Sequence, residues 1–180
     1  VVHGIPGPRV LEDGDLLSVD FGAIVDGWHG DAAISVPIGE VAPDVAELSR
    51  VAEASLWAGL AKARAGGRLT DISHAVESTI TAAGPFGIVA DYGGHGIGTR
   101  MHMDPHILNY GSPGRGHLLR PGMALAIEPM VTQGDPEVGV LADAWTVVTM
   151  DGGWAAHWEH TVAVTESGPW VLTALDDVRL

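Results

Sequence analysis

The chain has 180 residues and a formal net charge of −14, from 23 Asp and Glu against 9 Lys and Arg, with no cysteine. That balance argues against nucleic-acid binding, which needs a basic surface, and the missing thiols exclude disulfides and thiolate metal sites. A hydrophobic share of 46% suffices for a substantial core, but every long apolar run is broken by Gly, Asp or Pro, so no membrane span is expected.

From these numbers we expect one domain, residues 1–180, in the cytoplasm. The acidic surplus reads either as a solvated surface or as carboxylates neutralised by bound cations, and both can hold together. The chain begins at Val1 and runs straight into VVHGIP, which leads us to expect a piece of something longer.

The stretch DLLSVDFGAIVDGWHGDAAISVPIG, from Asp15, predicts strands around the turn-like VDGWHGD. Asp44 to Ala65 predicts a helix: Leu48, Val51, Ala52, Leu56, Trp57, Leu60 and Ala61 recur at helical spacing. Asp44 is the expected N-cap, Glu47 follows three residues on, and Gly66-Gly67 ends the element. A second helix is expected over Asp71 to Ala83, capped by Thr70, with Ile72, Ala75, Val76, Ile80 and Ala83 as its buried stripe. Beyond Asp91 the chain returns to strand and loop, with MALAIEPMV, AWTVVTM and HTVAVT as strands. Strands, two helices and strands again predict an α+β domain with helices covering one sheet face.

Leu11–Asp20 (LEDGDLLSVD) and Leu119–Glu128 (LRPGMALAIE) form a faint repeat. Each places an acid six residues past a glycine, at the end of an apolar run. Two related half-domains, each giving one carboxylate to a shared centre, would explain it.

The run DYGGHGIGTRMHMDPH, Asp91 to His106, poses a choice between phosphate loop and metal site. A dinucleotide fingerprint needs G-x-G-x-x-G opening a helix. Gly94 and Gly96 fit, but Thr99 stands where the third glycine belongs, and Pro105 and Pro113 forbid a following helix. The glycines are expected instead to let the backbone bend tightly around a side chain that must be aimed.

Asp20, Asp31, Glu128 and Glu159 each lie beside apolar strand residues. Any one alone is read most simply as an acid at a strand edge facing water, and His95 alone as a hydrogen-bonded structural histidine. As a set they need shared neutralisation, because an ionised carboxylate buried alone is very costly. Two divalent ions would cancel four negative charges. Carboxylates with the His95 imidazole suit Mn, Fe, Co or Zn, and such a pair of ions activates water for hydrolysis.

The assembled motifs resemble the type I methionine aminopeptidases of the pita-bread metallopeptidase class. They are HGIPG at His3, VDFGAIVDGWHGDAA with Asp20 and Asp31, YGGHGIGTRMHMDPHILNY with His95 and His102, LRPGMALAIEPMV with Glu128, and WTVVTMDGGWAAHWEHTVAVT with Trp145 and Glu159. The likeness runs from about Val1 to Thr173. The order Asp, Asp, His, Glu, Glu is common to the whole class, whereas the full stretch from Tyr92 to Tyr110 fits the type I signature.

The resemblance implies a pita-bread fold: pseudo-twofold half-domains, an antiparallel sheet and helices on its outer face. It implies two divalent ions (Co, Mn, Fe or Zn), with Asp20 on one, Asp31 and Glu159 bridging, and His95 and Glu128 completing the second. Glu128 would also shuttle a proton, His102 would support the tetrahedral intermediate, and His3 would assist at the pocket mouth. Tyr92, Met101 and Trp145 would line a methionine side-chain pocket, with Met101 standing where an aromatic is common. The implied activity is removal of initiator methionine from nascent chains, near the ribosome, by a monomer. The resemblance further implies a segment before HGIP, so a truncated fold with an exposed apolar face is expected. A proline-specific pita-bread peptidase and a fragment or binding module without activity are the competing readings. His29 and His160 are expected to be supporting or structural, His74, His117 and His157 ordinary, and His106 a bystander.

Overall fold

A computed structural model describes every residue from Val1 to Leu180. Strands β1 (Leu16–Val25) and β2 (Trp28–Pro37) form an antiparallel hairpin. Asp26 and Gly27 turn it with φ of 51° and 83°, the paired left-handed conformation that Asp-Gly adopts at low cost. Helices α1 (Pro43–Leu60) and α2 (Leu69–Ala83) follow. Next come β3 (Gly87–Ile88), β4 (Gly94–Gly96), β5 (Met103–Ile107), β6 (Ala124–Ile127), β7 (Met130–Thr132), β8 (Val138–Val140) and β9 (Val147–Thr149). The chain closes with β10 (Ala155–His157), β11 (Glu159–Thr165), β12 (Gly168–Val171) and β13 (Val178–Arg179).

Eight strands form the main sheet in the order β1-β2-β11-β6-β4-β5, with β12 on β11 and β13 on β12. The central β2–β11 pair is flanked by β1 on one side and β6 on the other. The two segments of the sequence repeat therefore occupy matching places, and their acids, Asp20 and Glu128, approach one centre from opposite sides.

Trp57, Ala61 and Ala75 are only half-buried and Ala83, at the helix end, is exposed, but most of the helical stripe is buried as its spacing predicts, with Leu48, Ala52, Leu56, Leu60, Ile72, Val76 and Ile80 wholly covered. They pack on Leu125, Ile127, Val162, Val164 and Val171 of the sheet and on Val131 and Ala156 beside it. Each fully buried Leu or Ile contributes roughly 1.5–3 kcal/mol.

Several boundaries differ from expectation. α1 starts at Pro43, a residue pre-set for the first helical position, with Ala42 as N-cap. Asp44 lies inside the first turn, where its carboxylate accepts a hydrogen bond from Gln133 Nε2 at 2.6 Å. The helix stops at Leu60 rather than Ala65 because the chain is drawn off to pair with Leu119: Gly66 N–H donates to Leu119 O, and Leu119 N–H to Gly67 O, both at 2.9 Å. α2 is capped at Arg68, whose N–H donates to the Asp71 carboxylate at 2.7 Å. Thr70 is held elsewhere, donating to Arg115 O and accepting from Arg115 N–H. Of AWTVVTM only Val147–Thr149 is strand, paired with β8 apart from the main sheet. MALAIEPMV breaks at Glu128-Pro129, so β6 and β7 enter different sheets.

Candidate metal centre

Strand partners share a sheet face, and the register assembles two rows on the inner face. One row is Asp20, Ala33 and Glu159, linked by the pairs Asp20–Ala33 and Ala33–Glu159. The other is Gly22, Asp31, Thr161, Ala126 and His95. Thr161 joins Asp31 to β11 by accepting from the Asp31 N–H at 3.0 Å and donating to the Asp31 carbonyl at 2.8 Å. Glu128 directly follows the Ile127–His160 pair, which brings it beside Glu159. Between the chemically active side chains stand Gly22, Ala33 and Ala126, so small residues leave room in the middle.

The carboxylates and imidazoles converge. His95 Nε2 lies 3.5 Å from Glu128 Oε1 and 4.0 Å from Asp31 Oδ2. His3 Nε2 lies 3.4 Å from Asp20 Oδ2 at the mouth. The His102 ring meets the His95 ring edge-on at 4.5 Å. His95 is fixed by its Nδ1, 3.0 Å from the Gly96 carbonyl, which leaves Nε2 aimed inward. Ligand atoms of three trios lie within 4.8 Å of one another: Asp31, His95 and His102; Asp20, His157 and Glu159; and His95, Glu128 and Glu159.

Burial drives the electrostatics. Loss of water pushes the Glu128 carboxyl up to about 7; His95 opposes this, while Asp20 and Asp31 add to it. Burial, with the neighbouring Glu128, Asp31 and Asp20 carboxylates adding to it, pushes Glu159 up to about 10. Burial pushes the His157 imidazole down to about 4, so its 3.5 Å approach to Glu128 Oε2 is not an ion pair near neutral pH. Two buried polar atoms, His157 Nε2 and Glu159 Oε1, have no hydrogen-bond partner. Orphaned atoms beside crowded carboxylates are what a divalent cation would satisfy, so the residues present fit one.

The acids and His95 open onto a cleft of about 250 Å³ that His3, Asp91, Tyr92, His102 and His106 also line. Of the residues read as pocket wall, Tyr92 lines it. Met101 lies over Gly22, where an added Cβ would collide with Met101 Cε. Trp145 is 55% exposed, outside the cleft wall, and stacks loosely on His3 at 6.5 Å. His106, read as a bystander, is in the lining.

Gly94 and Gly96, on either side of His95, do not turn the chain, although the register with β5 shifts between His95 and Gly96. Gly94 and Gly96 are extended strand residues whose absent side chains allow close approach: a Cβ on Gly94 would strike Ala126 O, and one on Gly96 would strike Asp104 O. They let β4 nestle between β5 and β6 and so set His95 at the centre. His29 and His160 are structural, held by the Gly98 carbonyl and the Thr173 hydroxyl.

His157 was expected to be ordinary and is not. It is 1% exposed and shares a ligand trio with Asp20 and Glu159. The signal was available in AAHWEH: His157 stands two residues before Glu159, the spacing that puts both on one face of extended chain.

The family model for metallopeptidase family M24 matches residues 1–166. The chain belongs to this family. Methionine aminopeptidase 1 of Mycobacterium tuberculosis is 56% identical over 96% of this chain and 67% of its own length. Methionine aminopeptidase 1 of Bacillus subtilis is 51% identical over 96% of this chain and 69% of its own. Among solved structures, the methionine aminopeptidase of Thermotoga maritima superposes with a TM-score of 0.89 at 46% identity, covering 92% of this chain and 66% of that one. The chain thus spans about two thirds of the length of the relatives it matches. The curled antiparallel sheet with two helices on its outer face is the pita-bread fold that the resemblance implied. This M24 chain carries the candidate ligand groups of a metallopeptidase, and no helix in it is long and apolar enough to cross a membrane.

Proposed function

We propose that this chain removes N-terminal methionine from nascent proteins, using two divalent ions (Co, Mn, Fe or Zn). Asp20, Asp31, His95, Glu128 and Glu159 would hold the ions. The observation that carries this reading is the convergence of four carboxylates and an imidazole on one small, partly buried space that includes an orphaned carboxylate oxygen. When bound, the ions supply polarisation of the amide carbonyl and a water activated near neutral pH.

The chain's own groups divide the remaining work. Glu128, with its carboxyl pushed up to about 7 by burial, can take and return a proton at working pH. His102, exposed at the cleft beside His95, donates a hydrogen bond where negative charge grows on the carbonyl oxygen. His3 assists from the mouth. Tyr92 walls the methionine side chain from within the cleft, Met101 and Trp145 would have to close on it from outside the cleft wall, and the acidic cleft favours a free, cationic N-terminus. Residues 1–180 belong to one catalytic domain that acts in the cytoplasm, as a monomer, on chains near the ribosome.

A peptide panel tests this. Met-Ala-x and Met-Gly-x should release methionine when Co or Mn is added and not in its absence, and x-Pro-x should stay intact. Cleavage of x-Pro-x alone would support the proline-specific reading and overturn this one. The relatives at 51–56% identity carry the name methionine aminopeptidase, which favours methionine.

A further inference from the structure

We infer that His157 is a sixth metal ligand, one that gives the Asp20 side of the centre an imidazole of its own. The inference rests on the ion-pair reading of the site given above. His157 ends β10 and Glu159 opens β11, so the two side chains emerge on one face of a nearly continuous extended segment. The His157 backbone is clamped: its N–H donates to Ser35 Oγ at 3.1 Å, and its carbonyl accepts from the same hydroxyl at 2.9 Å. The ring is thereby held inside the protein with Nε2 buried and without a partner. A ring nitrogen of His157 lies within 4.8 Å of ligand oxygens from Asp20 and Glu159, its Nε2 stands 3.5 Å from Glu128 Oε2, and Glu159 contributes the site's other orphaned atom. A buried donor-acceptor atom left unpaired carries a penalty of about 1–3 kcal/mol. One cation beside Asp20 and Glu159 would relieve both orphans.

His95 Nε2 and His157 Nε2 each stand 3.5 Å from one oxygen of Glu128, and of the two imidazoles only His157 shares a ligand trio with Asp20. Two imidazoles rather than one shift the donor set toward nitrogen, which favours Zn, Co or Fe over Mn.

The test is the imidazole count in the chain loaded with two equivalents of Co(II), read from the hyperfine-shifted, exchangeable ring N–H signals in proton NMR. The expected result is two such signals, one lost in His157→Gln and the other in His95→Gln. His157→Gln should also weaken one Co(II) equivalent by at least about tenfold and leave the other within about threefold, read by calorimetry. A wild-type chain that binds two ions but shows one imidazole signal overturns the assignment and leaves the metal centre standing. A chain that binds no Co(II) overturns both. The wild-type count needs no variant to fold, and thermal melts of the ion-free variants separate a lost ligand from a lost structure.

Discussion

His95 Nε2 and Glu128 Oε1 stand 3.5 Å apart where β4 runs beside the end of β6, with both side chains largely buried. Neither can serve the other well as an ordinary ion pair, because burial holds the Glu128 carboxyl near 7 and other carboxylates crowd it. Replacing either by an uncharged isostere should remove ion binding on this side. His95→Gln and Glu128→Gln are each expected to lower affinity for one divalent equivalent by more than the roughly 100-fold that supporting residues cost, with methionine release abolished. Calorimetric titration with Co(II) reads the first, and Met-Ala-x hydrolysis the second.

Without an ion, the site makes stability depend on pH in a definite sense. Glu128 and Glu159 are raised from 4.5 to about 7 and about 10, so the folded chain keeps protons that the unfolded chain has released. Their stabilising effect is full below about 4.5 and is lost as pH rises, through about 7 for Glu128 and on toward 10 for Glu159. His157 acts in the opposite direction, since its folded value of about 4 lies below 6.5, but its effect is complete above 6.5. Between pH 6.5 and 9, then, the ion-free chain should melt at falling temperature, and Glu159→Gln should flatten that slope. Loading the site near pH 7 should release about one to two protons, measurable by calorimetry in buffers of different ionisation enthalpy. A melting temperature that holds level or rises over that range would show that the carboxyls are not protonated in the ion-free fold.

Gly94 offers a mechanical test. It has ordinary extended backbone, so alanine meets no conformational strain there, only the Ala126 carbonyl and Ile107. Gly94→Ala should push β4 away from β6 and cost about 1–3 kcal/mol, the usual toll of overpacking. Because His95 is the next residue, ion affinity should fall as well. Unchanged ion affinity in a folded Gly94→Ala chain would mean that the glycine serves packing and not aim.

Much of this was legible beforehand because alternation and helical spacing are dictated by the core. Leu48 to Leu60 could be buried in only one way, and Asp20, Asp31 and Glu159 stood out as acids in apolar strands. The helix ends were less legible because long-range partners set them: Leu119 pulls Gly66 and Gly67 off the end of α1, and Arg115 occupies the Thr70 hydroxyl. The glycines were misread for the same reason, since Ala126 lies thirty-two positions from Gly94 and close approach leaves no local mark. His157 was missed although its spacing from Glu159 was local, because a lone histidine in a loop-like stretch carries little weight until β7 pairs with β10 and fixes it.

The outer face of the β1–β2 hairpin presents Val19, Phe21, Val25, Trp28 and Ile34 to solvent. Exposed apolar faces on a long edge strand promote association. Phe21→Thr with Trp28→Thr should raise the concentration at which the monomer begins to aggregate, read by light scattering, while changing folded stability by less than about 0.5 kcal/mol per site. Threonine keeps the strand preference, so a loss of fold would count against the exposure of this face.

His102 separates chemistry from ion binding. Its ring touches the His95 ring, yet its side chain is exposed at the cleft, and the trios Asp20–His157–Glu159 and His95–Glu128–Glu159 are complete without it. If it donates to the carbonyl oxygen as negative charge develops, His102→Ala should lower kcat by about 10²–10³-fold, the usual cost of losing one such donor. KM for Met-Ala-x should move little, because that bond strengthens only in the transition state. Two ions should still bind, with affinities within about threefold of wild type. A large fall in ion affinity instead would make His102 a ligand through the Asp31–His95–His102 trio, and its role in stabilising charge on the substrate would have to be given up.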